Sequence, residues 1–101
     1  MADTSQGWAK GRQVAPSPLE AELARDLALR LRERRAAVGL TQEEVAHRVG
    51  VSRNQYQLYE RGMSDRARGT ALNPKLTTLL SLARALNVTL AELLTGVPAG
   101  A

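Results

Sequence analysis

Apolar residues recur at helical spacing along residues 17–96, and polar caps and glycines cut the pattern into five segments. Leu19, Leu23, Leu27 and Leu31 return every four residues, which places them on one helix face. Ser17-Pro18-Leu19-Glu20 precedes them as a capping box with proline at the first helical position. A first helix is predicted from there to about Val38, buried along the leucine stripe and closed by Gly39 in the left-handed conformation. Thr41-Gln42-Glu43-Glu44 is a second box, opening a helix with Val45, Ala46 and Val49 inward and Gly50 at its end. Ser52-Arg53-Asn54-Gln55 opens a third helix, ended by Gly62. Asn73-Pro74 opens a fourth, with Leu76, Leu79, Leu80, Ala83 and Leu86 on its apolar side and Asn87 as a left-handed cap. Thr89-Leu90-Ala91-Glu92 opens a short fifth helix that closes before Gly96. Nothing alternates as a half-buried strand does, so residues 63–72 read as a long loop.

The join between the second and third helices is the informative one. Only Gly50 and Val51 separate the end of one from the Ser52 cap of the next. Gly50 permits a sharp turn, Val51 can plug the angle, and Ala46 is small where the helices must cross closely. This geometry can present the third helix, amino end foremost, to a DNA major groove.

The residues that define this join resemble the Cro/C1-type helix-turn-helix family, also called the xenobiotic-response-element family, of phage repressors and bacterial regulators. The likeness runs from about Leu27 to Leu94. It includes Gly39-Leu40-Thr41-Gln42, Ala46, Gly50-Val51-Ser52, Tyr59-Glu60-Arg61-Gly62 and the later Leu82-Ala83, Ala85-Leu86-Asn87-Val88. It implies an all-α, five-helix, lambda-repressor-like domain that binds double-stranded DNA. By the resemblance Gln42 holds a DNA phosphate from the start of the second helix, where free amides and the helix dipole favour anions. The capped amides of Thr41 and Ser52 join it. Arg53 and Asn54 match positions that face base edges, where arginine can grip guanine and asparagine adenine. Gln57, one turn on, faces a base or a phosphate. Gln55 either faces outward or reaches back to its own cap. Arg35 and Glu60 match a partly buried salt bridge between the first and third helices.

Leu58 departs from the family, which commonly has a polar or basic residue there; leucine can touch a thymine methyl or pack at the core edge. Tyr56 and Tyr59 read as core, with a phosphate contact as the alternative. The segment between Gly62 and Asn73 is longer than the family norm, and Arg61, Arg66 and Arg68, with Lys75 beyond, offer phosphate contacts. The other readings of that loop are a solvated surface or, through Met63 and Leu72, a protein contact. Arg30, Arg32, Arg34 and Arg35 crowd the end of the first helix, partly to suit its negative dipole end, as does Arg48 on the second.

Bulk properties narrow the function without choosing it. The chain has 101 residues, with 14 Lys+Arg against 10 Asp+Glu, a formal charge of +4 that suits a polyanion and is also ordinary for a soluble domain. Residues 1–16 read as a polar arm, either a tail or a strap using Trp8, Lys10 and Arg12, residues 17–96 as one domain, and residues 97–101 as a frayed end. There is no cysteine, no phosphate-binding glycine loop and no HExxH, and His47 has no partners at ligand spacing, so neither catalysis nor a metal or other cofactor is expected. No secretory signal or apolar span is apparent, which favours a cytoplasmic protein. The reading is a transcription regulator, a repressor by preference. It is expected to act as a homodimer on a palindromic operator, with Val88, Leu90, Leu93 and Leu94 as the dimer surface unless they are core. The alternative is an antitoxin or other module that uses the same fold to bind a protein partner. No small-molecule ligand is implied.

Overall fold

A computed structural model describes residues 18–65 and 69–97. Its elements run α1 (Pro18–Val38), α2 (Gln42–Val49), α3 (Arg53–Glu60), β1 (Met63–Asp65), β2 (Thr70–Ala71), α4 (Leu76–Ala85) and α5 (Leu90–Thr95). The architecture is all-helical apart from the small hairpin. The expected cap Ser17, the arm at 1–16 and residues 98–101 lie outside the described residues. Among the described residues no helix is long and apolar enough to cross a membrane.

The helix boundaries follow local chemistry. Thr41 and Thr89 each close a reciprocal capping box, with Glu44 and Glu92 respectively. Gly39, Gly50 and Gly96 take positive φ at helix ends, as does Asn87 at +58°. The core gathers Leu31, Val45, Tyr56, Leu82, Leu86 and Leu93, all fully buried. With no phenylalanine in the chain, the aromatic residues of the described core are Tyr56 and Tyr59, edge to face at 6.3 Å between centroids.

The structure corrects the expected apolar faces. Leu27 and Leu31 are buried, but Leu19 is 63% exposed and Leu23 52%. The buried face of α1 begins at Ala24, because the described partner elements reach no further along the helix. On α4 the inward positions are Leu79, Leu82, Ala83 and Leu86, a stripe with helical spacing, while Leu76 and Leu80 are exposed.

The segment at 63–72 is not simply a loop. β1 and β2 pair antiparallel, Met63 opposite Ala71 and Asp65 opposite Thr70, with an irregularity between Met63 and Asp65. The Leu72 amide donates to the Gly62 carbonyl at 2.8 Å and the Leu72 side chain is buried. The Asn73 amide donates to Ser64 Oγ at 2.9 Å. Asn73 therefore belongs to the hairpin's exit, and α4 starts later than expected. Lys75 is its N-cap, in extended backbone and without a side-chain capping bond.

Candidate nucleic-acid interface

The turn between α2 and α3 is built from backbone economy. Gly50, at φ +86°, donates its amide to Ala46 at 2.9 Å and His47 at 3.3 Å, and Val51 follows with a 3.0 Å bond to the same Ala46 carbonyl. Val51 packs against the core beside Ala46. Ser52 Oγ then accepts the Gln55 amide at 3.0 Å and starts α3. The third capping box is not completed. Gln55 reaches neither back to the cap nor outward, but donates Nε2 to the Ser64 carbonyl at 2.9 Å, tying α3 to β1.

At the amino end of α3, Arg53 and Asn54 are exposed. Arg53 shares an open cleft of about 650 Å³ with Arg35, Gly39, Leu40, Thr41, Gln42 and Glu43. The cleft thus joins the start of α2 to the start of α3, where both helices carry amides without intrahelical partners.

Beneath the cleft lies a polar network centred on Glu60, which is 5% exposed. Arg35 Nε donates to Glu60 Oε2 at 2.6 Å and Nη2 to Oε1 at 3.1 Å, the bidentate geometry that suits a guanidinium. Arg35 Nη1 also holds the Leu40 carbonyl at 3.2 Å. Gln42 Nε2 donates to Glu60 Oε1 at 2.9 Å, and Gln57 Nε2 donates to Gln42 Oε1 at 3.2 Å. Burial alone would raise the Glu60 pKa; the Arg35 hydrogen bonds, the nearby Tyr56 hydroxyl, the Gln42 amide and the Arg35 charge together outweigh it, and the net direction is down. The Arg35 pKa is raised by the same bond. The Tyr56 hydroxyl is buried beside the pair without a well-formed hydrogen bond, and burial together with the Glu60 carboxylate pushes its pKa up.

Three further arginines have jobs that the dipole of α1 did not suggest. Arg30 donates Nε to Leu93 O at 2.5 Å and Nη2 to Leu94 O at 2.7 Å, at the end of α5. Arg32 Nη1 binds the Glu60 carbonyl at the end of α3. Arg34 Nη2 binds Leu86 O at 3.2 Å, at the end of α4. Each guanidinium satisfies carbonyls of another helix that have no intrahelical partner. The sequence signal was the spacing: Arg30 and Arg34 share one face of α1, and Arg32 and Arg35 another.

The remaining expected residues divide by exposure. Arg61 at the end of α3 and Lys75 at the start of α4 are exposed, while Arg66 and Arg68 lie outside the described residues. Leu58 is 8% exposed, which puts it at the core edge. Tyr56 and Tyr59 are core. Of the residues assigned to a dimer surface, Leu93 is buried and cannot contribute, because it faces the core from α5, which packs on α1 and α4. Val88 and Leu90 are half-buried and Leu94 is exposed. No group of three or more His, Cys, Asp or Glu among the described residues is arranged to hold a metal.

Comparison with known proteins agrees with this geometry. The profile of a helix-turn-helix family matches residues 31–93. The cryptic phage CTXphi transcriptional repressor RstR of Vibrio cholerae is 39% identical over 64 residues, covering 63% of this chain and 50% of the repressor. The chain therefore spans about half the length of that curated relative. The restriction-modification controller protein C.AhdI from Aeromonas hydrophila is 36% identical, with 69% of this chain and 94% of the controller covered and a TM-score of 0.56. The hypothetical transcription factor NHTF from Neisseria is 30% identical, with 87% and 90% covered and a TM-score of 0.60. All three carry the names of regulators rather than enzymes.

Proposed function

The chain belongs to the helix-turn-helix family, in its Cro/C1-type branch, and from that premise we propose that it is a sequence-specific, double-stranded DNA-binding regulator of transcription. The observation that carries the reading is the exposure of Arg53 and Asn54 at the leading end of α3, beside a cleft that continues to the start of α2. Arg53 reads a guanine and Asn54 an adenine through the major groove. Thr41, Gln42 and Ser52, with the amides beside them, take phosphates. Arg61, Arg66, Arg68 and Lys75 supply further phosphate contacts around the end of α3 and the hairpin. The protein acts as a homodimer on a palindromic operator with half-sites about 34–36 Å apart, and Leu94, Leu90 and Val88 form the contact between copies. Repression is the preferred outcome, by analogy with the phage repressor it resembles.

Selection from a random DNA library tests this. Wild-type protein should recover a two-fold symmetric site. Arg53→Ala and Asn54→Ala should each relax preference at one position per half-site, by about 1–3 kcal/mol. Full sequence preference in both variants removes α3 from base reading, and no selected sequence with wild-type protein removes the proposal.

A further inference from the structure

The polar network beneath the cleft has a direction. Arg35 can only donate and the Glu60 carboxylate can only accept. Glu60 therefore compels Gln42 to present its Nε2, at 2.9 Å. That choice turns Gln42 Oε1 towards Gln57, which must answer with its own Nε2, at 3.2 Å. The buried ion pair so fixes the orientation of two amides whose ends are otherwise nearly isosteric.

From this order we infer that Gln57 acts on DNA through Gln42, as a positioning residue, and that Glu60 sets the polarity with which Gln42 meets its ligand. The inference rests on the DNA-binding reading above and assigns roles within the same site. With Gln57 on its oxygen and Glu60 on one N–H, Gln42 keeps one N–H free as its remaining donor. A lone donor matches an anionic phosphate oxygen, which accepts and never donates. A base edge is better met by an amide with both its oxygen and its NH₂ unengaged, since paired donor and acceptor groups carry the discrimination there. Gln57 is half-buried and its NH₂ is turned to Gln42, whereas Arg53 and Asn54 are exposed and none of their side-chain atoms appears in the network. The amino end of α3 thus holds the readers, and the next turn holds the support for a phosphate contact made by a different helix.

The test is a double-mutant cycle on a selected DNA site, with Gln42→Met and Gln57→Met. Methionine keeps the unbranched stem and removes the amide. Gln42→Met should weaken binding roughly tenfold, the size of one charge-assisted hydrogen bond. Gln57→Met should weaken it about threefold, on every sequence alike, and should leave base preferences at all positions unchanged. The double variant should bind no more weakly than Gln42→Met alone, because Gln57 has no route to DNA without Gln42. Losses that multiply overturn the inference, as does a Gln57→Met variant with relaxed preference at any base or with unchanged affinity. Side-chain amide exchange in the wild-type free protein gives a check independent of variants. Both Gln42 and Gln57 should show slowed exchange, and fast exchange at Gln42 rejects the network's direction. Failure of the wild-type protein to select any DNA would strike the DNA-binding reading itself, so the two failures are separable.

Discussion

Replacing Glu60 by glutamine removes one charge and changes almost no volume, so its effect isolates the electrostatics of the site. The carboxylate accepts two bonds from Arg35, at 2.6 and 3.1 Å, and one from Gln42 at 2.9 Å. A glutamine in its place offers one oxygen to three donors, and its own NH₂ faces another donor. Breaking one side of a fully buried pair costs about 3–5 kcal/mol. Here the Arg35 side chain is 24% exposed, so it partly recovers water and keeps its bond to Leu40 O. A cost of about 2–3 kcal/mol follows for Glu60→Gln. For a domain of this size that corresponds to a fall in Tm of roughly 10–20 °C. Thermal unfolding followed by circular dichroism measures it directly, with protein concentration held constant so that self-association does not shift the midpoint. A Tm within about 3 °C of wild type refutes the reasoning, since it would mean the pair contributes little more than an exposed one. Replacing both partners with methionine should cost less than the sum of the single replacements, because no uncompensated charge is left behind.

Two further outcomes follow from the same structure. The folded Glu60 pKa is lowered, so its stabilising contribution is complete above the ordinary glutamate value, about 4.3, and is lost as pH falls through the folded value. Glu44, lowered by its bonds to Thr41, acts with the same sign. Wild-type Tm should therefore drop below about pH 4, and the Glu60→Gln profile should be flatter there; parallel acid limbs would count against the assignment. Arg30→Met should leave the Leu93 and Leu94 carbonyls without their donor, lower stability by about 1–2 kcal/mol and speed amide exchange around residues 93–96, and unchanged protection would show that the contact adds nothing.

What was legible in the sequence was mostly chemistry that acts within a few residues. Thr41, Ser52 and Thr89 start their helices where their side chains demand it, and Gly39, Gly50 and Gly96 end theirs where only a left-handed residue fits. The fourth helix departs from this rule: the Asn73 backbone amide ties that residue back to Ser64 in the hairpin, nine residues earlier, and the helix begins only at Leu76 with Lys75 as its cap. The leucine stripe of α1 correctly gave a helix but not its burial, since periodicity names a face and not what covers it. The hairpin was invisible because strands of three and two residues are too short to alternate. At the site, Arg35 and Glu60 were readable only through family likeness, and that likeness was sound for them. Gln55 and Gln57 were not readable in the same way. Their partners, Ser64 and Gln42, are set by the three-dimensional approach of neighbouring elements and leave no trace in local spacing.

The arginines of α1 bear on how far the DNA-reading unit can be moved. A designer who lifts residues 41–62 onto another scaffold takes the turn, the caps and the exposed Arg53 and Asn54. The transplant leaves behind Arg32 and Arg35, which close the end of α3 and neutralise Glu60. The excised piece would carry a buried carboxylate without its counter-ion and a frayed terminus just past the residues meant to read DNA. The smallest portable unit therefore begins inside α1, at or before Arg32, and a graft that respects only the two-helix motif should bind weakly however well its sequence is copied.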